Sequence, residues 1–332
     1  MTLPAADYCA LTPYLIPPGL PKVVNVGDGF ILDSCEKLIG ARASAYFSLR
    51  AELGDEAIAR INASRFLLVA GSNILNDKFQ LTPGLTAENL DRIRVPIAMM
   101  GLGHYGVEQV TQGMQPPAKA LMGALLERFP YLSVRCHRSR DYVLAGMPEL
   151  KDKVLLTSCP VSYSVDSIDH GFNRKEQYEC MVVSITDRVL QQLQSQAPLL
   201  EQAAGAFPAK RRVLALHQNY GWPVLRQYAA KHGYEVLDSP RYEDFLDLYL
   251  RADLHVGNRV HGHLKALSAG AASCLLPYDL RQAYFAESLD FPLIRQLPSA
   301  EFSQYDFGRF TRRRAEMKPA METFVTAVKS LL

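Results

Sequence analysis

The chain has 332 residues, 48% hydrophobic and 21% charged, which is the balance of a soluble globular protein with material for two domains. Its 36 Lys and Arg against 34 Asp and Glu leave a net charge of +2, which excludes a global field attracting nucleic acid or an anionic membrane. Because no apolar run has the roughly 18 residues of a membrane span, and Met1–Ala10 lacks signal-peptide order, we expect a cytoplasmic protein. The six cysteines are scattered without metal-ligand spacing, which predicts buried thiols.

Short branched, apolar runs alternate with amphipathic stretches along the whole chain, which predicts parallel strands joined by helices. In the first half we expect strands at Phe66–Ala70, Pro96–Gly101, Leu132–Arg135 and Val154–Thr157, and helices at Phe30–Ile39 and Ala118–Phe129. In the second half we expect strands at Met181–Ser184, Arg212–His217, Tyr234–Leu237, Ala252–Val256 and Ser273–Leu276. The helices expected there are Arg188–Ala204, Trp222–His232, Tyr242–Arg251, Val260–Ala269 and Gln282–Ser288.

The polar segment 164–179 lacks periodicity and is interpreted as a linker. It separates a first domain of residues 1–163 from a second domain of residues 180–310, which is followed by a C-terminal helix at 311–332. The fold class expected is α/β, with two Rossmann-like, doubly wound domains that face each other across a cleft. Ligands of such sheets bind at the carboxyl ends of the strands, so functional residues are expected in the turns that follow them.

Two glycine-bearing turns of the first half are candidate ligand sites. Gly101-Leu-Gly-His-Tyr-Gly106 matches a dinucleotide fingerprint, but Gly113 and Pro116-Pro117 interrupt the helix that such a site needs. We therefore expect these glycines to allow close backbone approach, with His104 displayed at the tip of the loop. Asn25-Val-Gly-Asp-Gly29 fits either an anion site at a helix N-terminus or a plain turn in which Asp28 is the N-cap.

Arginines and histidines follow two of the predicted strands. Arg135 stands at a strand end, where a guanidinium can bind a carboxylate or phosphate through paired hydrogen bonds. The run from His255 to His263 holds three histidines, but residues two apart diverge on a helix and no acid stands nearby, so no metal is expected. Arg259 and His261 instead favour a site that binds an anion and moves a proton, and His263 is interpreted as structural.

The order of these motifs resembles the polysaccharide pyruvyl transferase family. The matching elements are Asn25-Val-Gly-Asp28, a glycine turn after the next buried strand, Gly101-x-Gly103, Val134-Arg135, Ser184-x-x-x-Arg188, Asn258-Arg259-Val260-His261 and Tyr278-Asp279-Leu280-Arg281. The likeness runs from about Asn25 to about Ile294. The chain departs from the family pattern in four places: its triple glycine is Ala70-Gly71-Ser72 here, the acid after Val-Arg is Cys136, its Ser-Arg-Leu-His-Ala is Asn-Arg-Val-His-Gly at 258–262, and its Asp-Pro is Cys159-Pro160.

The resemblance implies a glycosyltransferase-B-like fold and a transferase that moves pyruvate from phosphoenolpyruvate onto a sugar as a ketal, releasing phosphate. The sugar would belong to an exopolysaccharide or cell-envelope polysaccharide, or to its free or lipid-linked precursor. The catalytic residues implied are His261 and His104, and the phosphoenolpyruvate contacts implied are Arg135, Arg188, Arg259, Val260 and His261. The acceptor or loop contacts implied are Asn25, Gly27, Asp28, Gly71 and Ser72. Neither a cofactor nor a metal is implied.

Two other interpretations stay open beside the pyruvyl transferase. One is a metal-independent nucleotide-sugar glycosyltransferase of the same architecture, although no Glu suited to hold a ribose follows His261. The other is a non-catalytic sugar- or anion-binding relative, which would not need a proton donor. If the acceptor is lipid-linked, Arg309 and Arg312–Arg314 could hold the protein weakly at the inner membrane face, against the alternative of a solvated helix start. No nucleic-acid partner is expected, and the sequence does not determine the oligomeric state.

Overall fold

The computed structural model describes residues 3–17, 24–104, 113–164, 172, 175–186, 197–218 and 223–332. The chain forms two units, each built on one parallel sheet. Unit 1 contains the N-terminal strand, Ile31–Tyr163 and Arg314–Leu332. Unit 2 contains the segment that leads into the first helix and ends at Phe30, together with Ser164–Arg313. Residues 24–30, which the sequence division assigned to the first domain, therefore belong to unit 2.

Unit 1 has a six-stranded parallel sheet in the order β2-β1-β3-β4-β5-β6. Its strands are β1 (Ala5–Thr12), β2 (Arg42–Ser48), β3 (Leu67–Leu75), β4 (Ile97–His104), β5 (Leu132–Val134) and β6 (Val154–Leu156). Its α-helices are the main part of α1 (Val26–Ile39), α2 (Asp55–Asn62), α3 (Pro116–Arg128) and α4 (His137–Gly146). Every residue of β4 is buried, as expected for an inner strand of a parallel sheet with both faces covered.

Unit 2 has a five-stranded parallel sheet in the order β11-β10-β7-β8-β9. Its strands are β7 (Tyr178–Ser184), β8 (Ala209–Leu216), β9 (Glu235–Asp238), β10 (Leu254–Gly257) and β11 (Ala272–Leu275). Its described helices are α5 (Pro198–Ala206), α6 (Pro223–Lys231), α7 (Glu243–Arg251), α8 (Val260–Ser268), α9 (Leu280–Leu289), α10 (Ala300–Gln304) and the start of α11 (Gly308–Lys329). Since Gly257 pairs with Ser184, β7 and β10 end side by side at the carboxyl edge.

The predicted strands of both halves are confirmed to within a few residues, but several predictions need correction. Four elements were not predicted from the sequence: β1, β2, α2 and α10. The segment interpreted as a linker ends earlier than expected, because β7 already begins at Tyr178. The C-terminal helix begins at Gly308, not at Thr311. Of the helix expected at Arg188–Ala204, residues 187–196 lie outside the described part. No described helix is long and apolar enough to cross a membrane.

Candidate active site

The turn from β10 into α8 brings the Asn-Arg-Val-His motif to the carboxyl edge of the unit 2 sheet. A Cβ at Gly257 would collide with the carbonyl oxygen of Ser184, so only glycine lets the two strand ends approach this closely. The Asn258 amide then donates to that carbonyl at 3.0 Å. Arg259 is the residue before the helix, and buried Val260 is its first residue. The chain therefore places Arg259 and His261 directly after a buried strand, as the sequence predicted.

Arg259 is held in one orientation by neighbouring strand ends. Its Nε donates to the Ile185 carbonyl at 3.0 Å, and its Nη1 donates to Gln218 Oε1 at 2.7 Å. The side chain is buried, with 8% of its surface exposed. Because a guanidinium is planar and always charged, these bonds create a fixed cation suited to an oxyanion.

The first turn of α1 lies against the first turn of α8. The Val26 amide donates to the His217 carbonyl at 2.9 Å, which fixes the start of α1 at the end of β8. A Cβ at Gly27 would stand 2.9 Å from His261 Nδ1, so this glycine allows the two helix starts to touch. Helix N-termini carry partial positive charge, which favours an anion. The site therefore combines two helix starts with the Arg259 cation.

The structure corrects the expected start of α1. This helix begins at Val26, four residues before the predicted Phe30. The residue that caps it is Asn25, whose Oδ1 accepts from the Gly27 amide at 3.2 Å. Asp28 lies inside the first turn and is mostly buried, so the expectation of an N-cap at Asp28 is wrong. The sequence favoured Phe30 because glycines are poor helix formers, whereas tertiary contacts hold this turn helical.

The Tyr278-Asp279-Leu280-Arg281 motif helps to position the carboxyl edge of the unit 2 sheet through the helix that follows it. Asp279 caps α9 by accepting from the Arg281 amide at 2.9 Å, and the Asp279 amide donates to Gln282 Oε1 at 2.8 Å. The Gln282 Nε2 in turn donates to the Asn258 carbonyl at 2.8 Å. This capping box therefore fixes the backbone next to Arg259. Sequence reasoning did not single out Gln282, although the Asp-x-x-Gln spacing is a capping signal.

His217, Gln218 and Tyr249 are site residues that the sequence analysis missed. His217 follows β8 and is 1% exposed, and its Nε2 shares a 2.7 Å hydrogen bond with the Tyr249 hydroxyl. Burial lowers the pKa of His217 well below its usual value, and the charge of Arg259 lowers it further. His217 is therefore neutral. The available signal was a histidine at the end of the predicted strand Arg212–His217, where polar residues are expected to matter.

In unit 1, Arg135 follows β5 as predicted and is 3% exposed. Its guanidinium lies on Gly103, where a Cβ would collide with Nε, and its Nη2 donates to Asn73 Oδ1. Gly101 has a φ of 70° and packs on Pro160. These two glycines therefore allow close approach, as interpreted from the sequence. Gly106 lies outside the described residues.

The expectation that His104 is displayed at a loop tip is wrong. His104 is the last residue of β4, and 8% of it is exposed. Its ring stacks on Tyr142 at 4.1 Å between centroids, and Tyr142 donates to Asp77 Oδ1 at 2.8 Å. Burial lowers the pKa of His104, while Asp77 raises it and Arg135 lowers it. The extension of β4 beyond its predicted end at Gly101 buries this histidine.

The structure brings the predicted residues together in two groups. In unit 2 the group is Asn25, Gly27, Asp28, Arg259, Val260 and His261. In unit 1 the group is Gly71, Ser72, His104 and Arg135, with Gly71 packed on Ile31 and Ser72 paired with Leu102 on β4. Arg188 lies outside the described residues. Within the described ranges no three potential metal ligands cluster, and all six cysteines are buried.

Three solved structures are similar in fold to this chain. The wall teichoic acid polymerase TagF is 11% identical, with a TM-score of 0.51 over 98% of this chain and 89% of that chain. A UDP-GlcNAc 2-epimerase from Neisseria meningitidis is 10% identical, with a TM-score of 0.51 over 97% and 99%. S. aureus MnaA is 10% identical, with a TM-score of 0.52 over 99% and 96%. These likenesses confirm the glycosyltransferase-B-like α/β fold with two Rossmann-like domains.

The sequence itself gives the family. No curated protein shows a significant match to the chain. The family model for polysaccharide pyruvyl transferase matches residues 25–279, which include strands of both sheets and both arginine-bearing turns. Because this match covers well over half of the 332 residues, the protein belongs to the polysaccharide pyruvyl transferase family.

Proposed function

We propose that the protein transfers pyruvate from phosphoenolpyruvate to a sugar of a polysaccharide or its precursor, forming a ketal and releasing phosphate. The observation that carries this proposal is the fixed Arg259 guanidinium beside the adjoining first turns of α1 and α8. Phosphoenolpyruvate carries a planar carboxylate and a tetrahedral phosphate, both of which suit arginine forks and helix N-termini. Family membership supports the same reaction class.

The reaction balances without an oxidant, a cofactor or a metal. One acceptor hydroxyl adds to C2 of phosphoenolpyruvate while the methylene carbon takes a proton. The bond from C2 to the phosphate oxygen then breaks, and a second hydroxyl adds to C2. One hydroxyl proton is thus balanced by the new methyl group and the other by the released phosphate. The protein must bind the anion and supply an acid near neutral pH, a role for which histidine is suited.

We assign these roles to the candidate residues. His261, half-buried in the first turn of α8, is the proposed general acid, and Arg259 with Val260 contacts the donor. Arg135, Arg188 and His104 are further proposed donor contacts. Asn25, Gly27 and Asp28 shape the first turn of α1. Gly71 and Ser72 remain proposed acceptor or loop contacts.

The two alternatives are outcomes of the same assay. Two of the similar structures are described with UDP or UDP-GlcNAc, but 10% identity carries the fold alone. A nucleotide-sugar glycosyltransferase would bind UDP and show no phosphate release from phosphoenolpyruvate. A non-catalytic relative would bind phosphoenolpyruvate without turnover. The pyruvyl transferase predicts phosphate release that depends on a sugar acceptor, with a new methyl signal in the product.

We also propose that the protein is cytoplasmic. For a lipid-linked acceptor, we propose weak contact with the inner membrane face. The basic start of α11 offers limited support, because Arg309 pairs with Asp290 at 2.6 Å and Arg312 with Asp306 at 2.9 Å. Arg314 is buried over the Tyr163 ring. Flotation with anionic vesicles at low salt tests the contact. No co-migration would leave a solvated helix start.

The decisive variant is Arg259→Lys, which keeps the charge but loses the fork. We expect phosphoenolpyruvate affinity to fall by about 1–3 kcal/mol for each charged hydrogen bond lost, and the same for Arg135→Lys. The matched control is Arg211→Lys in unit 2, because Arg211 pairs with Glu235 and both side chains are exposed. Calorimetry measures the binding. Unchanged affinity in Arg259→Lys and Arg135→Lys would remove the arginine clamp from the proposed function.

A further inference from the structure

Six buried polar side chains form a hydrogen-bonded chain beside the first turn of α8. In order, they are His217, Tyr249, Ser184, His255, Ser273 and His263, none more than 5% exposed. The bonds measure 2.7 Å from His217 to Tyr249, 2.7 Å from Ser184 to His255, 2.7 Å from His255 to Ser273, and 2.6 Å from Ser273 to His263. The Tyr249 hydroxyl and Ser184 Oγ lie at 2.6 and 3.2 Å from the same Cβ position at Gly262, and their hydrogen bond, which lowers the pKa of Tyr249 against the effect of burial, completes the chain.

The protons of this chain can be arranged in only two ways. A neutral imidazole carries one N–H and one lone pair, and each hydroxyl donates one proton. Burial lowers the pKa of all three histidines, that of His255 to about 3, so their rings are neutral. A hydroxyl could accept from both neighbours, but its own buried proton would then lack an acceptor, because none of the three hydroxyls has another partner among the described residues. Each member therefore accepts from one neighbour and donates to the next. All donors point either from His263 towards His217 or from His217 towards His263.

The His263 end decides between the two directions. His263 Nε2 is buried and has no hydrogen-bond partner among the described residues. A buried N–H without an acceptor is rarer than a buried lone pair without a donor. The His263 proton therefore sits on Nδ1 and is donated to Ser273 Oγ. Ser273 in turn donates to His255 Nδ1, which leaves the His255 proton on Nε2.

The remaining bonds follow from that direction. His255 Nε2–H donates to Ser184 Oγ, and the Ser184 hydroxyl is then available to donate to Tyr249. The Tyr249 hydroxyl donates to His217 Nε2. Since His217 accepts at Nε2, its own proton must sit on Nδ1, which, unlike His263 Nε2, is not among the buried nitrogens that lack a hydrogen-bond partner in the described part of the chain. The unpartnered Nε2 of His263 on α8 thus determines the tautomer of His217, which follows β8.

His217 is in contact with both helix starts of the candidate site. Its carbonyl accepts from the Val26 amide at the start of α1. A Cβ at Gly262, in the first turn of α8, would stand 3.0 Å from His217 Cε1 and 2.6 Å from the Tyr249 hydroxyl. The next residue, Gln218, accepts from Arg259. The His217 backbone therefore holds the start of α1, its ring lies against the first turn of α8, and the residue next to it holds Arg259.

We propose that the six side chains act as one hydrogen-bonded unit that fixes His217 as the neutral Nδ1–H tautomer and makes His217 a positioning residue for Arg259. The kinetic consequence of this inference rests on the proposed function, whereas its structural part does not. A neutral ring adds no positive charge beside Arg259 and His261. His261 can then take up a proton without opposition from a second imidazolium.

The test is to measure the ring tautomers in the full-length, ligand-free protein. Two-bond proton–nitrogen NMR correlations on ¹⁵N-histidine-labelled protein distinguish Nδ1–H from Nε2–H, and single His→Gln variants assign the signals. We expect Nδ1–H for His217, Nε2–H for His255 and Nδ1–H for His263. An Nε2–H tautomer at His217 would overturn the inference, because Tyr249 would then accept and the chain would run the other way.

A matched pair of variants tests the positioning role. Tyr249→Phe removes the donor to His217 Nε2, so neither tautomer is hydrogen-bonded there and we expect His217 to populate both, while His263 keeps its own. Tyr234→Phe is the control, because Tyr234 is a buried phenol in the same unit that bonds the Leu200 carbonyl at 2.8 Å. With phosphoenolpyruvate and acceptor, we expect kcat to fall about tenfold in Tyr249→Phe, the effect of one unsatisfied buried partner.

The outcomes separate this inference from the proposed function. Wild-type signals and kcat in a folded Tyr249→Phe would overturn the positioning role even if the wild type is an active pyruvyl transferase. A wild type that neither binds nor turns over phosphoenolpyruvate would overturn the proposed function, while the tautomer spectrum would still decide the hydrogen-bonded unit. If Tyr249→Phe does not fold, the His217 tautomer in the wild-type spectrum decides whether the hydrogen-bonded unit exists as proposed.

Discussion

The two arginine-bearing turns share one sequence pattern and differ in the histidine that accompanies them. Arg135 and Arg259 each follow a buried strand and precede a helix, and each is bound by an amide oxygen, from Asn73 and from Gln218 respectively. In unit 1, however, His104 is buried against Tyr142, whereas in unit 2 His261 is half-buried in a helix start. Strand-end placement thus produces a buried cation in both units, while the histidine that accompanies it is packed differently in each.

The largest expected effect comes from replacing each of the two histidines with glutamine, which tests whether His261 and His104 differ in function. His261→Gln keeps a hydrogen bond but cannot deliver a proton, so we expect turnover to fall by about 10²–10⁴-fold. Phosphoenolpyruvate affinity should change far less. His104→Gln should reduce turnover by less than about tenfold, because burial lowers the pKa of His104 and disfavours its charged form. Steady-state phosphate release and calorimetry measure both.

The reverse result would change the assignment. If His261→Gln keeps its turnover while binding collapses, His261 is only a ligand contact. A large loss of turnover in His104→Gln would then make His104 the preferred acid.

The two units should also differ in how their stability depends on pH. His217, His255 and His263 in unit 2 have lowered pKa values in the folded state, so the unfolded chain binds more protons below its histidine pKa of about 6.5. Their contribution is fully present above that pH and is lost as pH falls, at about 1.4 kcal/mol per pH unit for each histidine. We expect the unit 2 amides to lose hydrogen-exchange protection first as the pH falls from 6.5 to 5. Earlier loss in unit 1 would contradict this.

Substitutions at two glycines should affect different properties, one the stability of the fold and the other the binding of phosphoenolpyruvate. Gly257→Ala drives a methyl group into the Ser184 backbone, which cannot yield, and we expect a loss of about 3 kcal/mol or more in unfolding free energy. In Gly103→Ala the atoms nearest the new methyl group belong to the end of the Arg135 side chain, which can move. That variant should stay folded and bind phosphoenolpyruvate more weakly. Denaturant titration and calorimetry measure the two effects, and equal destabilisation would contradict the distinction.

The smallest expected effect is that of a chelator. Neither arginine turn requires a metal for the proposed chemistry, so activity should be unchanged after treatment with a chelating agent. Phosphate release measured before and after treatment tests this. A loss of turnover that zinc or manganese restores would contradict it.

Much of the fold was predictable because inner parallel strands are continuous apolar runs. The strand expected at Ala252–Val256 and the helix expected at Val260–Ala269 match β10 and α8 closely. By contrast, β2 alternates exposed and partly buried residues at a sheet edge, so it lacks that signal and was missed. The start of α1 was missed because tertiary contacts, among them the bond from Val26 to His217, override the weak helix propensity of its glycines.

The sequence by itself determined the α/β class, the family, and the placement of Arg135, Arg259 and His261 after buried strands, since periodicity and motif order are local properties. Only the tertiary structure decided which partners these groups have. His217 and Gln218 lie far from Arg259 in sequence and come to its edge because β8, β7 and β10 are neighbours in the sheet, whereas Gln282 reaches the adjacent Asn258 from the first turn of α9. The burial of His104 and the single direction of the hydrogen-bonded chain from His263 to His217 were decided in the same way. A residue's pKa and tautomer depend on desolvation and on available donors and acceptors, and folding sets both.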